Sequence, residues 1–571
     1  MLSRRNPIRP GINSKDSELP EPTSDPSSGT RRSFLGRLGG AAAATLAAGT
    51  VELALPRTAA AHEGSRDRDR ESDSFQIRVR AASEEREVHI PTNETNGDEE
   101  RYSNFIGSFS KGLPHNALGE VDSNAYHLYL DAVRKSSAAA FENVPLGGTV
   151  KLVNPMSGVC FDLEGTDSHQ MAIPAPPRLA SEARADDMIE LYWMALTRDV
   201  NFADYETDAT AQAAAAEISS LTEFVGPRLG AKVNAQSLFR GFTADDLVGP
   251  FVSQLLLRAF NYGQYALTGQ MVTHIPGADF MTTPAEWLQA RNGQGPFPAV
   301  QFDPQQRFIR NGRDLGAYVH TDQVFQAFYN AGIWLFGHGA PLNSGNPYLK
   351  LTKQSGFTTF GAPQFLILLA EVASRALKAV FCAKWFVHRT LRPEDYGGLV
   401  HMTKKNQASY PVHSTVLNSR ALEQSFAKFG SYLLAQEYPE GCPQHPSYAQ
   451  GHGAIAGAAA TILKAAVNGS APFTSLQKGA IQVSSDDGLS LVPYPGSDTG
   501  QITINGEINK LASNIGIARN FAGVHWRTDY SEGLKLGERA ALSVLSDQKE
   551  TFQEDFSGFV ITKFDGSTVT V

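Results

Sequence analysis

Residues 519–529, which read R-N-F-A-G-V-H-W-R-T-D, pair a histidine with a carboxylate four residues later. In a helix continuing to residue 545, His525 and Asp529 would share one face and could touch. A carboxylate on one ring nitrogen fixes the imidazole tautomer and makes the other nitrogen a better ligand or nucleophile. Arg519, upstream near the predicted helix start, would favour an anion there. Taken alone, the pattern also fits a structural helix with an incidental ion pair.

A second group of cations follows the most apolar segment of the chain, at residues 384–393 (K-W-F-V-H-R-T-L-R-P). Burying Lys384 and Arg392 without a negative partner would be expensive. Two explanations are open: Glu371 and Glu394 neutralise these cations, or an anion binds beside them.

The third segment is residues 445–454, H-P-S-Y-A-Q-G-H-G-A, where two histidines flank a glycine turn. Gly451 lets backbone N–H groups approach a ligand closely, and a helix of small residues begins at once. His445 and His452 are either core histidines or general acid–base groups. Together the three segments suit a tetrahedral oxyanion. Arginine and lysine would neutralise its oxygens, His525 would bond its central atom, and His452 would face the opposite apical oxygen.

In this order the three blocks resemble those of the vanadium-dependent haloperoxidases, which belong with the type 2 phosphatidic-acid phosphatase superfamily. The blocks are K-x7-R-P, P-S-Y-x-x-G-H and R-x5-H-x3-D. The step from Lys384 to Arg392 and the additional His445 are similar to the bromoperoxidase branch. The resemblance covers roughly residues 150–571.

The resemblance implies a vanadate cofactor whose metal is bound by His525, with Asp529 behind that ring. It implies four further vanadate-binding residues that match the family blocks: Lys384, Arg392, Gly451 and Arg519. Catalytic roles are implied for His452, which would accept and donate protons during the reaction, and for Lys384 and His445. The implied reaction is oxidation of bromide or iodide by hydrogen peroxide to hypohalous acid, with an organic molecule as a further acceptor. Relatives of this branch are homo-oligomers, so a homo-oligomer is expected.

One position departs from the family pattern. Gln450 stands where the family usually has a serine whose hydroxyl donates to a vanadate oxygen. A glutamine amide can donate the same bond but is longer and bulkier. We therefore predict that Gln450 also binds the cofactor. Two alternative functions remain open: a secreted acid phosphatase with His525 as nucleophile and His452 as acid, and a non-catalytic oxyanion-binding protein.

Helical patterns dominate from residue 120 onward and must position these blocks. We predict helices over residues 364–388, 414–437, 451–467 and 508–520, with the first half of 364–388 apolar on all sides and therefore buried. Asp565-Gly566 between β-branched runs predicts a hairpin over 559–571, and alternation over 75–90 suggests short strands. The fold class is mainly α, with the helical bundles that the resemblance implies and small peripheral β-hairpins. We expect a polar leader over 62–100 and one helical domain over 101–571, with its catalytic core at about 360–545.

Composition excludes several other classes of protein. The net charge of −9 argues against a nucleic-acid partner. Three cysteines are too few and too scattered for a disulfide framework or a zinc cluster, although the sequence allows one disulfide among them: Cys160, Cys382 and Cys442. Within residues 1–61, Arg31-Arg32 precede a weakly apolar run and a small-residue stretch ending at Ala61, which predicts export by the twin-arginine route to the periplasm or beyond. That run is too short and glycine-rich to span a membrane.

Overall fold

Helices are the dominant regular structure of residues 70–571, the part of the chain that this computed structural model describes. The predicted export signal, residues 1–61, lies outside that part. In chain order the α-helices are α1 (Arg70–Glu87), α2 (Asp98–Arg101), α3 (Ser123–Lys135), α4 (Ala138–Phe141), α5 (Glu182–Thr197), α6 (Ala209–Ser220), α7 (Gln254–Leu257), α8 (Pro284–Arg291), α9 (Gly312–Tyr318), α10 (Gln326–Gly337), α11 (Ala362–Cys382), α12 (Pro393–Lys404), α13 (Ser414–Leu417), α14 (Arg420–Phe429), α15 (Gly451–Ala466), α16 (Ile504–Phe521) and α17 (Arg527–Lys549).

The strands form antiparallel two-stranded sheets, each a pair of neighbours in the chain. They are β1 (Phe260–Tyr262) with β2 (Tyr265–Leu267), β3 (Met271–His274) with β4 (Phe302–Arg307), β5 (Gln482–Ser484) with β6 (Leu491–Pro493), and β7 (Val560–Thr562) with β8 (Thr568–Thr570). The last pair is the predicted hairpin, and its turn uses Gly566 at φ 84°, a left-handed conformation that glycine adopts easily. The mainly helical fold class with small β-hairpins is confirmed.

Helix α15 is buried along almost its whole length because alanine and glycine fill its surface. Small residues let neighbouring backbones approach closely: a Cβ on Gly457 would clash with the carbonyl of Leu534, and one on Gly537 with the carbonyl of Ala454. The backbone N–H of Gln450 also donates to the carbonyl of Asp529. These contacts place the start of α15 directly beside the start of α17, which brings the second and third sequence blocks together.

The predicted helix over residues 364–388 is confirmed. Its first half is not buried on all sides as predicted, since Ile367 is 64% exposed, and the helix changes type near its end. After α11, residues Ala383–His388 form a π-helical turn, a feature frequent at functional sites. Trp385 packs edge-on against Phe109 and Tyr129 in a second apolar cluster. That packing anchors the turn and holds Lys384 in a fully buried position.

Two predicted elements outside the three blocks are wrong. Residues 75–90 contain no strand; helix α1 occupies most of them, and none of its residues is buried. The alternation there separates apolar side chains by arginines, and without a partner strand or buried face the helix-forming run at residues 81–87 prevails. The single helix over 414–437 is two short helices, because Ser419 caps α14 and Gly430 ends it in a left-handed conformation.

Residues Ser74–Val571 form one compact unit. No helix within residues 70–571 is both long and apolar enough to cross a bilayer. The three cysteines are free thiols, Cys160 exposed and Cys382 and Cys442 buried.

Candidate oxyanion-binding site

His525 and Asp529 touch, but not through the continuous helix that the sequence predicted. Helix α16 ends at Phe521 and α17 begins at Arg527, with Gly523 at φ 84° in the connection. His525 therefore precedes a helix start, and Asp529 lies in the first turn. The Nδ1 atom of His525 lies 2.7 Å from Oδ2 of Asp529, which also accepts the backbone N–H of Trp526 at 3.2 Å. One carboxylate thus caps the helix and orients the imidazole.

Lys384 extends from the π-helical turn to the 445–454 block. Its Nζ donates to the carbonyls of Pro446 at 2.7 Å and Ser447 at 2.6 Å. The side chain is fully buried, and these two neutral acceptors leave the third N–H free for another group.

Arg392 joins all three sequence blocks. Its Nε donates to the carbonyl of His445 at 2.9 Å, and Nη1 donates to the carbonyl of Val524 at 2.7 Å. The same Nη1 lies 3.0 Å from Nε2 of His525, and Nη2 lies 2.9 Å from Nδ1 of His445. Because a guanidinium can only donate, Nε2 of His525 acts as an acceptor. In His525 this places the proton on Nδ1, facing Asp529, and a lone pair on Nε2.

Arg519 lies in the last turn of α16, not near a helix start as predicted. Its Nη1 donates to the carbonyl of Val319 at 2.9 Å and contacts the hydroxyl of Tyr438 at 3.4 Å. Its Nε is buried without a partner, and Nη2 makes no hydrogen bond within residues 70–571. Arg519 is therefore the least satisfied of the three cations.

None of these cations has a carboxylate within salt-bridge distance among residues 70–571. Glu394, one of the two acids that could have neutralised them, instead pairs with Lys111 at 2.6 Å. Glu371 supplies only a backbone carbonyl, to Arg375. Three buried cations that meet neutral acceptors, with each other as neighbours, make a site that an anion would stabilise.

The start of α15 adds backbone donors to these cations. Gln450 is the N-cap residue, yet its side chain makes no capping hydrogen bond. The amide groups of Gly451 and His452 consequently have no acceptor within the described part of the chain. Uncapped N–H groups at a helix start bind anions readily.

The amide of Gln450 points into the helix interface. Its Nε2 donates to the carbonyl of Gly516 at 3.0 Å and to Oδ1 of Asn520 at 3.3 Å, and the side chain is fully buried. Both amide hydrogens are therefore used by α16. In this conformation Gln450 has no side-chain donor left for an anion bound beside the cations. Its predicted contact with the cofactor stays a prediction.

His452 is oriented by a residue that the sequence reasoning missed. Its Nε2 lies 2.9 Å from Oδ1 of Asp322, and the carboxylate is almost entirely buried. Asp322 belongs to residues 319–322, which follow α9 and which also supply the Val319 carbonyl to Arg519. No local pattern could reveal this pairing, because the two residues are 130 positions apart.

The pKa values of the site residues are shifted by burial and by the clustered cations. Burial, followed by Arg392 and Lys384, lowers the pKa of His525 well below its usual value. The same factors, burial first, lower the pKa of His445. Burial and Arg392 lower the pKa of Lys384 well below its usual range, although Asp529 opposes this shift. Burial raises the pKa of Asp529, but Lys384 and the Ser447 hydroxyl favour its ionised form. His525 is therefore a neutral imidazole with Nε2 available as a ligand.

A cavity of about 630 Å³ lies in a different part of the molecule, lined by aromatic side chains such as Phe202 and by the loop after β6. None of the predicted site residues lines it. We place the chemistry at the site cations and histidines, since the two arginines that line the cavity, Arg240 and Arg310, are each paired with an aspartate.

Comparison with known proteins agrees with this site. Residues 373–554, which contain all three blocks, match the model of the second helical-bundle domain of VCPO. The chain is 33% identical over 505 residues to the vanadium-dependent bromoperoxidase of Ascophyllum nodosum, covering 82% of this chain and 88% of that protein. The chain belongs to the vanadium-dependent bromoperoxidase family.

Two further members support the assignment of this bromoperoxidase-family chain. The vanadium-dependent bromoperoxidase of Corallina pilulifera is 31% identical over 572 residues, covering 83% of this chain and 94% of that protein. The solved structure of the homohexameric second vanadate-dependent bromoperoxidase of Ascophyllum nodosum superposes with a TM-score of 0.83 at 31% identity, over 91% of this chain and 95% of that one. The predicted family and its bromoperoxidase branch are confirmed.

Substituting Gln450 tests whether its amide reaches the bound anion. Gln450→Ser removes two hydrogen bonds to α16 and leaves a small void, so we expect a lower unfolding temperature. Oxyanion affinity should stay within about tenfold of wild type, because no side-chain donor is lost. Titration with vanadate, alongside thermal unfolding, measures both effects.

The matched variant is Gln450→Leu, which retains most of the size but has no donor. We expect its oxyanion affinity to equal that of Gln450→Ser. A loss of affinity in the leucine variant alone would show that the amide turns toward the anion, as the sequence suggested.

Proposed function

We propose that this bromoperoxidase-family protein binds vanadate and uses hydrogen peroxide to oxidise bromide or iodide to hypohalous acid. One observation carries the proposal: three buried cations, none with a carboxylate at salt-bridge distance within residues 70–571, lie near a neutral histidine whose Nδ1 is held by Asp529 and whose Nε2 faces Arg392. That arrangement is complementary to an oxyanion with a central atom that accepts a nitrogen ligand. The bromoperoxidases named above carry the reaction class in their names and match most of the chain.

The residues present fit vanadate. His525 would hold the metal through Nε2, since Nδ1 is committed to Asp529. Lys384, Arg392, Arg519 and the first amides of α15 would bind the oxygens, replacing the contacts that Arg392 now makes with the two imidazoles. When bound, vanadate supplies a Lewis acid that makes hydrogen peroxide electrophilic toward halide.

His452 is the proton-transfer group. Asp322 orients its Nε2, which leaves Nδ1 as the second site on the ring for accepting or delivering a proton. Lys384 holds a positive charge at the place where negative charge develops, in a site that excludes water. His445 packs against the guanidinium of Arg392, with Nδ1 2.9 Å from Nη2, and so fixes the direction of that group; burial and the neighbouring cations lower the pKa of His445, which keeps it neutral.

The decisive experiment compares two activities of the purified protein, each with and without vanadate. Bromide and iodide oxidation by hydrogen peroxide should appear only with vanadate. Hydrolysis of a phosphomonoester should be slow, and vanadate should inhibit it by occupying the same cations. Fast hydrolysis without any halide oxidation would instead support the acid phosphatase, and absence of both activities with vanadate bound would support an oxyanion-binding protein.

We also propose a homo-oligomer that acts outside the cytoplasm. The solved relative with a TM-score of 0.83 is homohexameric, which supports self-association of this chain. Export rests on the paired arginines and small-residue stretch of residues 30–61. Light scattering of the purified protein and fractionation of producing cells test these two points. An organic acceptor for the hypohalous acid is part of the same proposal.

A further inference from the structure

Arg519 differs from the other two cations in what holds it. Lys384 and Arg392 are fixed by carbonyls and histidines of the sequence blocks, whereas the hydrogen-bond partners of Arg519 within residues 70–571 are the Val319 carbonyl and a tyrosine. That tyrosine is Tyr438, almost fully buried, whose ring centroid lies 5.1 Å from the guanidinium carbon. Its hydroxyl lies 3.4 Å from Nη1 of Arg519. Tyr438 belongs to none of the three blocks.

Tyr438 is itself held rigidly. Its hydroxyl donates to the carbonyl of Gly316 at 2.7 Å, which orients the oxygen lone pairs toward other donors. The ring of His320 stacks on the tyrosine ring with centroids 3.9 Å apart and planes within 2°. His320 is fixed in turn, because its Nε2 lies 2.7 Å from Oε1 of Glu440. A chain of contacts thus runs from Glu440 through His320 and Tyr438 to Arg519.

We propose that Tyr438, supported by His320, is a positioning residue that aims Arg519 at the oxyanion. The guanidinium is restrained on one side by the aromatic ring, the hydroxyl and the Val319 carbonyl. Its Nε and Nη2 make no hydrogen bond within residues 70–571, so two donor nitrogens in a fixed plane are left for the anion. This inference rests on the proposed function, since it assigns a role within the same site.

The physical argument concerns preorganisation. A free arginine side chain has several rotatable bonds, and freezing them during binding weakens affinity. A cation against an aromatic face in a desolvated site is stabilised, which keeps the arginine ordered before the anion arrives. Unlike a carboxylate, a tyrosine ring restrains the cation without neutralising it. The site thereby keeps its positive charge and loses little entropy on binding.

The test measures anion affinity directly, so that it does not depend on turnover. Inorganic phosphate and vanadate are titrated calorimetrically into the vanadate-free full-length protein. We expect Tyr438→Leu to weaken both affinities about tenfold. Tyr438→Phe, which keeps the ring and loses a hydroxyl contact of 3.4 Å, should cost less than about threefold. His320→Gln, which removes the stacked ring, should lie between them.

Tyr432 provides a matched control. It is a partly buried tyrosine stacked on Phe426 with Lys404 and Lys405 near its ring, away from the site. Tyr432→Leu should leave both affinities unchanged. Each variant is also combined with Arg519→Gln, and the effect of Tyr438→Leu should disappear in that background, because there is no guanidinium left to aim.

The outcomes separate this inference from the proposed function. If the wild-type protein binds neither anion, the proposed function itself is wrong. If wild type binds and Tyr438→Leu is unchanged, or its loss persists in the Arg519→Gln background, Tyr438 is structural only and the inference is overturned. Should Tyr438→Leu fail to fold, the His320→Gln variant carries the same comparison, and an unchanged affinity there overturns the inference equally.

Discussion

Replacing His525 with alanine should lower vanadate-dependent halide oxidation by at least about 1,000-fold, or roughly 4 kcal/mol of transition-state stabilisation. Nε2 of His525 carries the lone pair that would bind the metal once Arg392 turns to the oxyanion, because Asp529 takes Nδ1. Its loss removes the only proposed bond to vanadium, whereas the cations can still attract vanadate weakly. Steady-state bromide and iodide oxidation at saturating vanadate measures the effect, and vanadate titration separates binding from turnover.

The control for this variant is His115→Ala. His115 is also a largely buried imidazole whose pKa is lowered by burial and a neighbouring arginine, here Arg291, but its hydrogen bonds are to Ser110 and Asn292, outside the three blocks. We expect normal activity from it. Thermal unfolding should show both alanine variants folded. Unchanged halide oxidation in His525→Ala would remove His525 from the proposed metal site.

The sequence could identify the three blocks because each is a local pattern of charged, small and imidazole side chains. As their spacing and chemistry suggested, four of these residues contact one another or share contacts: Lys384, Arg392, His445 and His525. Arg519 is near enough to help lower the pKa of His525. The long helices α11, α15 and α16 were predictable for the same reason, since their apolar and small residues repeat at helical spacing.

The break between α16 and α17 was not foreseen, although a local signal for it exists. His525 and Asp529 are four apart in either arrangement, so spacing alone could not distinguish a helix interior from a helix start. Asp529 in a first helical turn, preceded by Gly523, is the pattern of a new helix. The distinction matters because a capping carboxylate is fixed by the Trp526 N–H as well as by the histidine.

Other parts of the site depend on packing between segments that are distant in the chain, so they could not be predicted from local sequence patterns. Asp322 reaches His452, and Tyr438 reaches Arg519, only because α9 and the segment before the second block fold against α16. The direction of the Gln450 amide is likewise decided by acceptors on α16. Family spacing predicts which position is near the anion, but the partner residues decide where a longer side chain points.

Lys384→Met should weaken oxyanion affinity about 100-fold, roughly 2.7 kcal/mol, because it removes a buried charge that the anion would meet directly. It should also remove a pH dependence. In the free protein, burial and Arg392 hold the pKa of Lys384 well below its usual range. An incoming anion would raise that pKa. At a pH between the pKa of the free protein and that of the complex, anion binding to wild type is therefore accompanied by uptake of a proton. Affinity is then highest below the free-protein pKa and falls as the pH rises through this window.

The measurement is calorimetric titration of vanadate across pH in buffers of different ionisation enthalpy. The ionisation of vanadate itself contributes equally to wild type and Lys384→Met, so the difference between them isolates the lysine. Lys464→Met is the matched control: Lys464 is a second buried lysine, with its pKa lowered to about 7 by burial, but it packs on Phe564 away from the site. Equal proton uptake in wild type and Lys384→Met would show that Lys384 does not change its charge when the anion binds. The buried ammonium would then act as a permanent charge, and the pH dependence of the site would belong to its histidines.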